Sequence, residues 1–241
     1  IRSMKLHGGA FGTRGGYRPT KDELEKEDID AVLRGAQGNL DRHIKNMAGF
    51  GMPVIVSINR FYSDTDAELD ALKMAAHKSG ASHVALTEVH ANGGKGGEEL
   101  AKAVVAAVHD HVAKGRPFTP LFTPETPVLE KMNAIATRIY KAEGVEISTP
   151  AMKQLAKLQA WGYDHLPVCM AKTQYSFSHD PGKLGAPVGF TIPVREFRLN
   201  AGAGFIVAIL GNMMTMPGLP KRPAALDMDM DEEGRLTGVF G

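Results

Sequence analysis

The sequence has 241 residues, and its 28 Lys and Arg against 27 Asp and Glu give a net charge of +1. This near-neutral balance argues against a nucleic-acid-binding protein that works through a bulk positive charge. Hydrophobic residues make up 43% and charged residues 23% of the chain, which is typical of a globular protein and excludes extensive disorder. The length fits one large domain or two smaller ones.

The single cysteine, Cys169, excludes an internal disulfide framework and fits a reducing compartment, so we expect a cytoplasmic protein. The longest purely apolar run, residues 205–210, is far shorter than the roughly 20 residues that a membrane-spanning helix needs. The first residues contain no apolar stretch of signal-peptide length. Because the sequence starts with Ile1 and not with Met, we expect Ile1 to be an internal residue of a longer protein.

The first half of the sequence alternates predicted strands and helices. The predicted strands are short apolar runs, at residues 4–6, 53–58 and 84–89. The predicted helices start at a capping box or show apolar residues three to four positions apart, at residues 20–23, 40–47, 65–79 and 98–114. This order of elements predicts an α/β fold with a parallel sheet.

The second half follows a stretch rich in Pro and Thr, residues 116–127, which predicts a linker and a domain boundary near residue 118. Thr126 and Ser148 are predicted N-caps, because a proline follows each within the first helical turn. Trp161 ends the second of these helices and is expected in the core. Further strands are predicted at residues 167–170, 190–199 and 205–210, and a proline-rich turn, residues 217–223, precedes a last hairpin.

Open parallel sheets bind ligands in loops at the carboxyl ends of their strands. Three segments follow predicted strands in this way, namely residues 7–9, 59–61 and 88–97. The Asn59 amide offers one donor group and one acceptor group, which suits the edge of a heterocycle, and Phe61 could stack on a flat ring. A capping Asn and a buried Phe are the structural alternative.

Several other motifs carry less functional signal. The glycine-rich turn at residues 93–97 resembles a phosphate cradle, but it is not a Walker loop and a flexible strand-to-helix turn is favoured. His109 and His111 lie two apart on a predicted helix and point different ways, so they predict no metal site. Cys169 is expected to be a buried structural thiol. The polar residues 172–176 could line a cleft, cap a helix or make subunit contacts.

The complete series of segments resembles formate–tetrahydrofolate ligase (10-formyltetrahydrofolate synthetase), specifically the C-terminal part of that family's sequence. The resemblance covers essentially the entire chain. It rests on residues 5–9 (KLHGG), 53–61 (PVIVSINRF), 65–69 (TDAEL), 88–97 (EVHANGGKGG), 166–176 (LPVCMAKTQYS), 201–205 (AGAGF) and 213–223 (MMTMPGLPKRP).

The resemblance implies a fold and a reaction. Residues 1–117 would be part of a P-loop-NTPase-like parallel sheet that lacks its Walker loop, and residues 118–241 a smaller α/β C-terminal domain. The family's reaction uses ATP to convert formate to formyl phosphate, which the folate N10 then attacks to give 10-formyltetrahydrofolate, ADP and phosphate. The catalytic residues would lie in the N-terminal portion, outside this chain.

The resemblance also implies which residues bind substrate. The family holds the pterin ring between two aromatic side chains; Phe61 takes the place of one, and His90 that of a tryptophan followed by Ala-x-Gly-Gly. The strand-end and glycine-loop residues are further substrate-binding candidates: Asn59, His7, Gly8, Gly9, Gly93 and Gly94.

The expected small molecules are ATP, Mg²⁺, a monovalent cation, formate, and tetrahydrofolate as a substrate. The expected protein partners are the N-terminal portion of the same protein and further copies in a homotetramer, with no nucleic acid and no membrane. Two alternatives remain: a short non-catalytic folate-binding or oligomerisation module, and a nucleotide-binding regulator that uses residues 93–97.

Overall fold

The computed structural model describes residues 1–9, 20–211, 221–232, 234 and 236–238. The chain divides into two compact units, residues 1–211 and residues 212–241. In the described residues of the first unit, helices precede the first strand, strands and helices mix in the middle, and consecutive strands end the unit. Among the residues that the structure describes, no helix combines the length and the apolar character that crossing a membrane requires.

The helices of the first unit are α1 (Arg2–His7), α2 (Lys21–Glu25), α3 (Ile29–Gly35), α4 (Asp41–Ala48), α5 (Asp66–Lys78), α6 (Val89–Asn92), α7 (Glu98–Ala113), α8 (Val128–Ala134) and α9 (Thr149–Ala160). A π-helical turn, Ala36–Leu40, joins α3 to α4, and a second one, Ile135–Ile139, continues α8. The strands are β1 (Ile55–Asn59), β2 (His83–Thr87), β3 (Gly144–Ile147), β4 (Val168–Ala171), β5 (Thr191–Val194), β6 (Glu196–Asn200) and β7 (Phe205–Ile209).

Strands β1 and β2 form a parallel pair, with Asn59 opposite Thr87 at their carboxyl ends. Helix α5 provides the crossover between them, which is the βαβ arrangement that the sequence predicts. Elsewhere in the unit, β3 and β5 are parallel, and β7 lies between parallel β4 and antiparallel β6. The predicted α/β class with parallel sheets is therefore confirmed.

The prediction of a strand at residues 4–6 is wrong, because these residues belong to α1. Met, Lys and Leu all favour helices, and the run is too short to show a strand pattern. Helix α1 also packs unusually close to α3: a Cβ on Gly8 would lie 1.9 Å from the Ala31 carbonyl oxygen, and one on Gly35 would lie 2.0 Å from that of Met4. Gly8 and Gly35 are therefore the residues that permit this close approach.

The single strand predicted at residues 190–199 is two strands, β5 and β6, which lie in different sheets. The chain changes sheet at Arg195, whose backbone N–H donates to the Ile209 carbonyl oxygen. An apolar run of this length is long enough for two short strands, and periodicity alone does not locate the break between them.

Three of the four predicted N-caps are confirmed. Thr20, Thr65 and Ser148 each accept a hydrogen bond from a backbone N–H in the first turn of their helix. Thr126 does not cap α8, because the helix starts one residue later than predicted and Pro127 occupies the cap position. The Asp164 carboxylate instead accepts a hydrogen bond from the Val128 N–H at 3.3 Å.

The buried apolar side chains of the first unit form separate clusters. One cluster is drawn entirely from residues 128–210, and the largest of the others packs Val32, Ile58, Leu69 and Leu72 together. The predicted domain boundary near residue 118 falls between these clusters and stays a prediction.

Two core assignments are wrong. Trp161 is 63% exposed at the end of α9, since it follows the last buried position of that helix. Cys169 is exposed as well, because alternate side chains of β4 point away from the core.

In the second unit, the described residues form a 3₁₀ turn (Ala224–Asp227) and an antiparallel pair, β8 (Asp229–Met230) with β9 (Leu236–Thr237). This pair confirms the predicted last hairpin. Most of the predicted proline-rich turn, up to residue 220, lies outside the described residues, as does the glycine-rich stretch at 10–16.

Candidate functional site

Two of the three predicted ligand-binding segments start side by side. Asn59 ends β1 directly opposite Thr87 at the end of β2, and the Arg60 N–H donates to the Thr87 carbonyl oxygen at 3.0 Å. Residues 59–61 and 88–97 therefore leave the sheet at the same edge, as predicted. Residues 7–9 do not belong to this edge, since they follow helix α1 and not a strand.

Asn59 and Phe61 line a common pocket of about 280 Å³, which we call the Phe61 pocket. Residues of α1, β1 and two neighbouring helices complete it: Ile1, Arg2, Ser3, Met4, Leu40, Val56, Ser57, Ile58 and Leu72. Its walls are largely apolar with a few polar groups, which is the usual composition of a small-molecule site.

A tight turn fixes the backbone at Phe61. The Phe61 N–H donates to the buried Asp64 carboxylate at 2.9 Å, and the Asp64 N–H donates back to the Phe61 carbonyl oxygen at 3.0 Å. The Arg2 guanidinium lies 4.7 Å from the centre of the Phe61 ring, in cation–π geometry. Phe61 is nevertheless 38% exposed, so part of the ring is open to a ligand.

The sequence did not reveal the polar residues around Phe61. Arg2 donates to the Glu25 carboxylate at 3.0 Å, and the Tyr62 hydroxyl donates to the same carboxylate oxygen at 2.9 Å. Tyr62, the residue after Phe61, is 81% exposed. The sequence shows the two adjacent aromatic residues directly. Arg2 and Glu25 come near Phe61 only because α1 and α2 pack together.

His7, Gly8 and Gly9 line a second pocket, of about 580 Å³, which we call the His7 pocket. Arg34 of α3 and Lys183 from a distant loop line it as well. The Arg34 Nε donates to the Gly8 carbonyl oxygen at 2.9 Å, and the His7 Nδ1 accepts the Gly185 N–H at 3.0 Å. Burial, with a smaller contribution from His43, lowers the pKa of His7.

The turn at residues 93–97 is a short 3₁₀ segment between α6 and α7. A Cβ on Gly96 would lie 2.4 Å from the Glu88 carbonyl oxygen, so this glycine serves close packing. Gly93, with φ of 58° and ψ of −143°, adopts a conformation suited to glycine. His90 and the candidate glycines Gly93 and Gly94 are exposed, and none of the three lines the Phe61 pocket.

Comparison with known proteins decides the family. The family model for formate–tetrahydrofolate ligase matches residues 1–240. The chain belongs to the formate–tetrahydrofolate ligase family. It is similar to curated formate–tetrahydrofolate ligases from Leuconostoc citreum (48% identical), Acidiphilium cryptum (46%) and Paracoccus denitrificans (49%), each over 240 residues. The match covers 100% of this chain and 41% of the Leuconostoc and Acidiphilium proteins, so the chain spans about two-fifths of the length of these ligases.

Lys172, in the polar segment at residues 172–176, turns inward. Its Nζ donates to the carbonyl oxygens of Thr173, at 2.9 Å, and of Ser176, and it lies 4.9 Å from the centre of the Tyr140 ring. Burial lowers the pKa of Lys172 to about 8. This lysine therefore organises its own turn.

Across the described residues, no group of three or more His, Cys, Asp or Glu side chains is placed to hold a metal ion. His109 and His111 lie on α7 as the sequence predicts.

Proposed function

We propose that this chain supplies folate-binding and assembly surfaces of an ATP-dependent ligase that formylates tetrahydrofolate. In the complete reaction, ATP phosphorylates formate to formyl phosphate, and the folate N10 attacks the formyl carbon. The carbon–oxygen bond to phosphate breaks, and 10-formyltetrahydrofolate, ADP and phosphate leave. Phosphorylation is needed because the carboxylate of formate is a poor electrophile, whereas phosphate is a good leaving group.

The observation that carries this proposal is the Phe61 pocket at the carboxyl end of β1. It combines a partly exposed aromatic ring with the Asn59 amide, in a segment that matches the family throughout. A pterin has a flat face for stacking and an edge of alternating donors and acceptors, which these two groups can recognise. We assign His90, Gly93 and Gly94 to the opposite side of the folate site, outside the Phe61 pocket itself, because their loop leaves the neighbouring strand at the same sheet edge.

The ATP and Mg²⁺ of this reaction belong, in our proposal, to the portion of the ligase outside this chain. The described residues contain no group of side chains that suits a metal ion, and residues 93–97 do not form a Walker loop. Glu98 and Glu99 in the first turn of α7 also oppose a phosphate at that helix N-terminus. Binding and orienting the folate is the task left to this chain.

The assembly role rests on β1, β2 and α7. A sheet of only two parallel strands is unusual, because parallel sheets normally have several strands covered on both faces. In α7, four valines on one side of the helix are 41–71% exposed: Val104, Val105, Val108 and Val112. We propose that the remaining part of the longer ligase extends this sheet into a P-loop-NTPase-like one and covers the valines. Residues 118–241 then form the smaller C-terminal domain.

The first test is tetrahydrofolate binding to the chain, measured by isothermal titration calorimetry with the variant Phe61→Ala. Loss of stacking is expected to weaken binding about five- to tenfold, at roughly 1 kcal/mol or slightly more for an aromatic pair. Phe118→Ala is the matched control, since Phe118 is 59% exposed and stacks on Phe50 instead. Equal affinities of the wild type and Phe61→Ala would exclude Phe61 from the site.

The second test concerns the opposite wall. His90→Trp restores the aromatic side chain that the family resemblance implies, and it is expected to tighten folate binding because indole offers more stacking area than imidazole. His109→Trp, on α7, is the control for adding an indole elsewhere. Unchanged or weaker affinity in His90→Trp would show that position 90 does not contact the pterin.

A further inference from the structure

Asn92–Gly93 is the one place in the 241-residue sequence where a glycine directly follows an asparagine. Asn92 is the last residue of helix α6, in the loop that connects β2 to α7, and Gly93 follows it. An asparagine in this position is prone to deamidation, because the backbone nitrogen of the next residue can attack its side-chain amide. A glycine allows the attack most readily, since it has no side chain to obstruct ring closure.

The structure leaves this pair of residues open to solvent. Asn92 and Gly93 are both exposed, and the Asn92 side chain forms no hydrogen bond with any other residue that the structure describes. No residue of α6 is buried. A Cβ on Gly93 would meet no atom within 4 Å, so nothing packs against the glycine on that side. A ring can therefore form here without displacing any packed side chain.

A single backbone hydrogen bond restrains the attacking nitrogen. The Gly93 N–H donates to the Val89 carbonyl oxygen, which closes the last turn of α6. This helix has only four residues and no side-chain cap, and short exposed helix ends open at a small cost in free energy. Opening also lets the backbone of Asn92 rotate from its ψ of 5°, so that the side chain can meet the nitrogen. The reaction is therefore accessible from the native state.

The other asparagines that the structure describes lack this combination of features. Asn39 and Asn46 are buried, and their amides donate to backbone carbonyl oxygens. The Asn133 side-chain oxygen accepts a backbone N–H at 3.3 Å. Asn59 and Asn200 are exposed, but a residue with a side chain follows each of them. Asn200, which precedes an alanine, is therefore a matched internal comparison.

We propose that Asn92 deamidates in the folded protein, which makes the loop between β2 and α7 a site of spontaneous modification. The Gly93 nitrogen loses its proton and bonds to Cγ of Asn92, and ammonia leaves to give a cyclic succinimide. Water then opens the ring in one of two ways. Cleavage of the bond between the nitrogen and Cγ gives Asp, whereas cleavage of its bond to the main-chain carbonyl carbon gives isoaspartate.

The two products change the loop differently. Each adds one negative charge, which takes the formal net charge of the chain from +1 to 0. Isoaspartate also lengthens the backbone by a methylene group directly before Gly93. His90, Gly93 and Gly94, which we assign to the folate site, lie in this loop, so the modification is expected to weaken folate binding as the protein ages. This consequence rests on the folate-binding function proposed above, whereas the modification itself does not.

The test incubates the 241-residue chain at neutral and at mildly alkaline pH and follows its tryptic peptide 79–95 by mass spectrometry, against a sample digested at the start. Replacement of the amide NH₂ by a hydroxyl raises the peptide mass, and enzymatic methylation of isoaspartyl carboxylates measures the isoaspartate. Asn92 is expected to react faster than Asn200, and faster still at the higher pH, since the attacking nitrogen must lose its proton. Isoelectric focusing should show a matching shift of the intact chain to a lower isoelectric point.

Two variants control for the site of reaction. Asn92→Gln should abolish the shift, because its longer side chain closes a ring less readily, whereas Asn200→Gln should retain it. Circular dichroism checks that the chain stays folded during incubation. Reaction at Asn92 no faster than at Asn200 would overturn the inference, and so would an equal shift in Asn92→Gln. Modification that starts only after the fold is lost would overturn it as well.

Calorimetric titration with tetrahydrofolate separates the modification from its effect on folate. Aged wild type is expected to bind about two- to fivefold more weakly than fresh wild type, the range for an exposed charge. Asn92→Gln should keep its affinity on ageing. Asn92→Asp carries the charge without the longer backbone and should bind with an affinity between those of fresh and aged wild type.

The two measurements fail independently. Complete modification with unchanged affinity would remove the loop from the folate site and leave the modification of Asn92 established. Absence of folate binding to the fresh chain would reject the proposed function alone, because the mass measurement requires no ligand. Binding by the fresh chain without faster reaction at Asn92 would reject the modification alone.

Discussion

The glutamates of two capping boxes, Glu23 and Glu68, lie in contrasting environments although the same Thr-x-x-Glu motif predicts both. Glu23 is partly exposed and accepts from the Thr20 N–H at 2.8 Å and from the Thr20 hydroxyl at 2.9 Å. Glu68 is fully buried, and besides the Thr65 N–H it accepts from the Asp28 N–H at 2.8 Å and pairs with Lys5 at 2.7 Å.

The difference shows how tertiary structure changes the use of a local motif. At Thr20 the motif closes the first turn of a short helix and little else. At Thr65 it also brings a carboxylate into the interior, where the charge needs a cation and a full set of donors. Lys5 supplies the cation and also donates to the carbonyl oxygens of Leu24 and Lys26, at 2.9 and 2.6 Å. The second box therefore joins α1, α2, α3 and α5.

Removing the lysine of this buried pair should cost the protein the most stability. Lys5→Met keeps the side-chain length but leaves the Glu68 charge without its partner, so the free energy of unfolding should fall by about 3–5 kcal/mol. Urea unfolding followed by circular dichroism measures the loss. Lys26→Met, at an exposed lysine, is the control and should change stability by less than about 0.5 kcal/mol. A loss below about 1 kcal/mol in Lys5→Met would show that the Lys5–Glu68 pair contributes little to the stability of the fold.

A second buried lysine allows the effect of the ion pair to be separated from that of the contacts with carbonyl oxygens. Lys131 is 1% exposed and donates to the carbonyl oxygens of Pro124, His165 and Leu166, at 2.7, 2.6 and 3.3 Å, with no ion pair in the described residues. Lys131→Met removes these bonds without leaving a buried charge unpaired, so we expect a smaller loss of about 1–3 kcal/mol. The same urea experiment compares the two variants. Equal losses would mean that the carbonyl contacts, and not the stranded carboxylate, dominate at Lys5.

The sequence predicted the elements that begin with a local signal. Both capping boxes, the Ser148 cap and the β1–α5–β2 unit follow from such signals, and so does the placement of Asn59 and Phe61 at one sheet edge. Two errors, at Trp161 and Cys169, depend on which face a segment presents to the rest of the fold. The error at α1 arises because a three-residue apolar run is too short to distinguish a strand from a helix. The same limit applies to the sites, because Arg2, Arg34 and Lys183 reach their pockets from segments far apart in the sequence.

Loss of a helix cap should have a smaller effect on stability than loss of the buried ion pair. Thr65→Ala should lower the free energy of unfolding by about 1–2 kcal/mol, because it also loosens the support of the buried Glu68. Thr20→Ala should cost about 0.5 kcal/mol, since water can replace the hydroxyl at an exposed helix end. Urea unfolding with Thr65→Ser and Thr20→Ser as conservative controls separates loss of the hydroxyl from loss of the methyl group. A larger effect at Thr20 than at Thr65 would contradict the comparison.

The last expected effect depends on pH and concerns Lys172, a half-buried lysine that donates to carbonyl oxygens, as Lys131 does. Burial lowers the pKa of Lys172 to about 8, against 10.5 for an ordinary lysine. Between these two values the folded state binds fewer protons than the unfolded state, so the free energy of unfolding should rise as the pH rises from 8 to 10.5. Because the side chain is only partly buried, we expect a rise of about 1 kcal/mol, less than the full shift implies.

Urea unfolding of the wild type and of Lys172→Met at several pH values between 7 and 10.5 measures this effect. The difference between the two curves isolates Lys172, because other groups that titrate in this range, such as Lys131 with its lowered pKa, are present in both proteins. The wild type should gain stability relative to the variant as the pH rises. If the curves stay parallel, the Lys172 ammonium is solvated well enough to titrate normally. The turn at residues 173–176 would then not depend on a desolvated cation, and the similarity of Lys172 to the buried Lys131 would not hold.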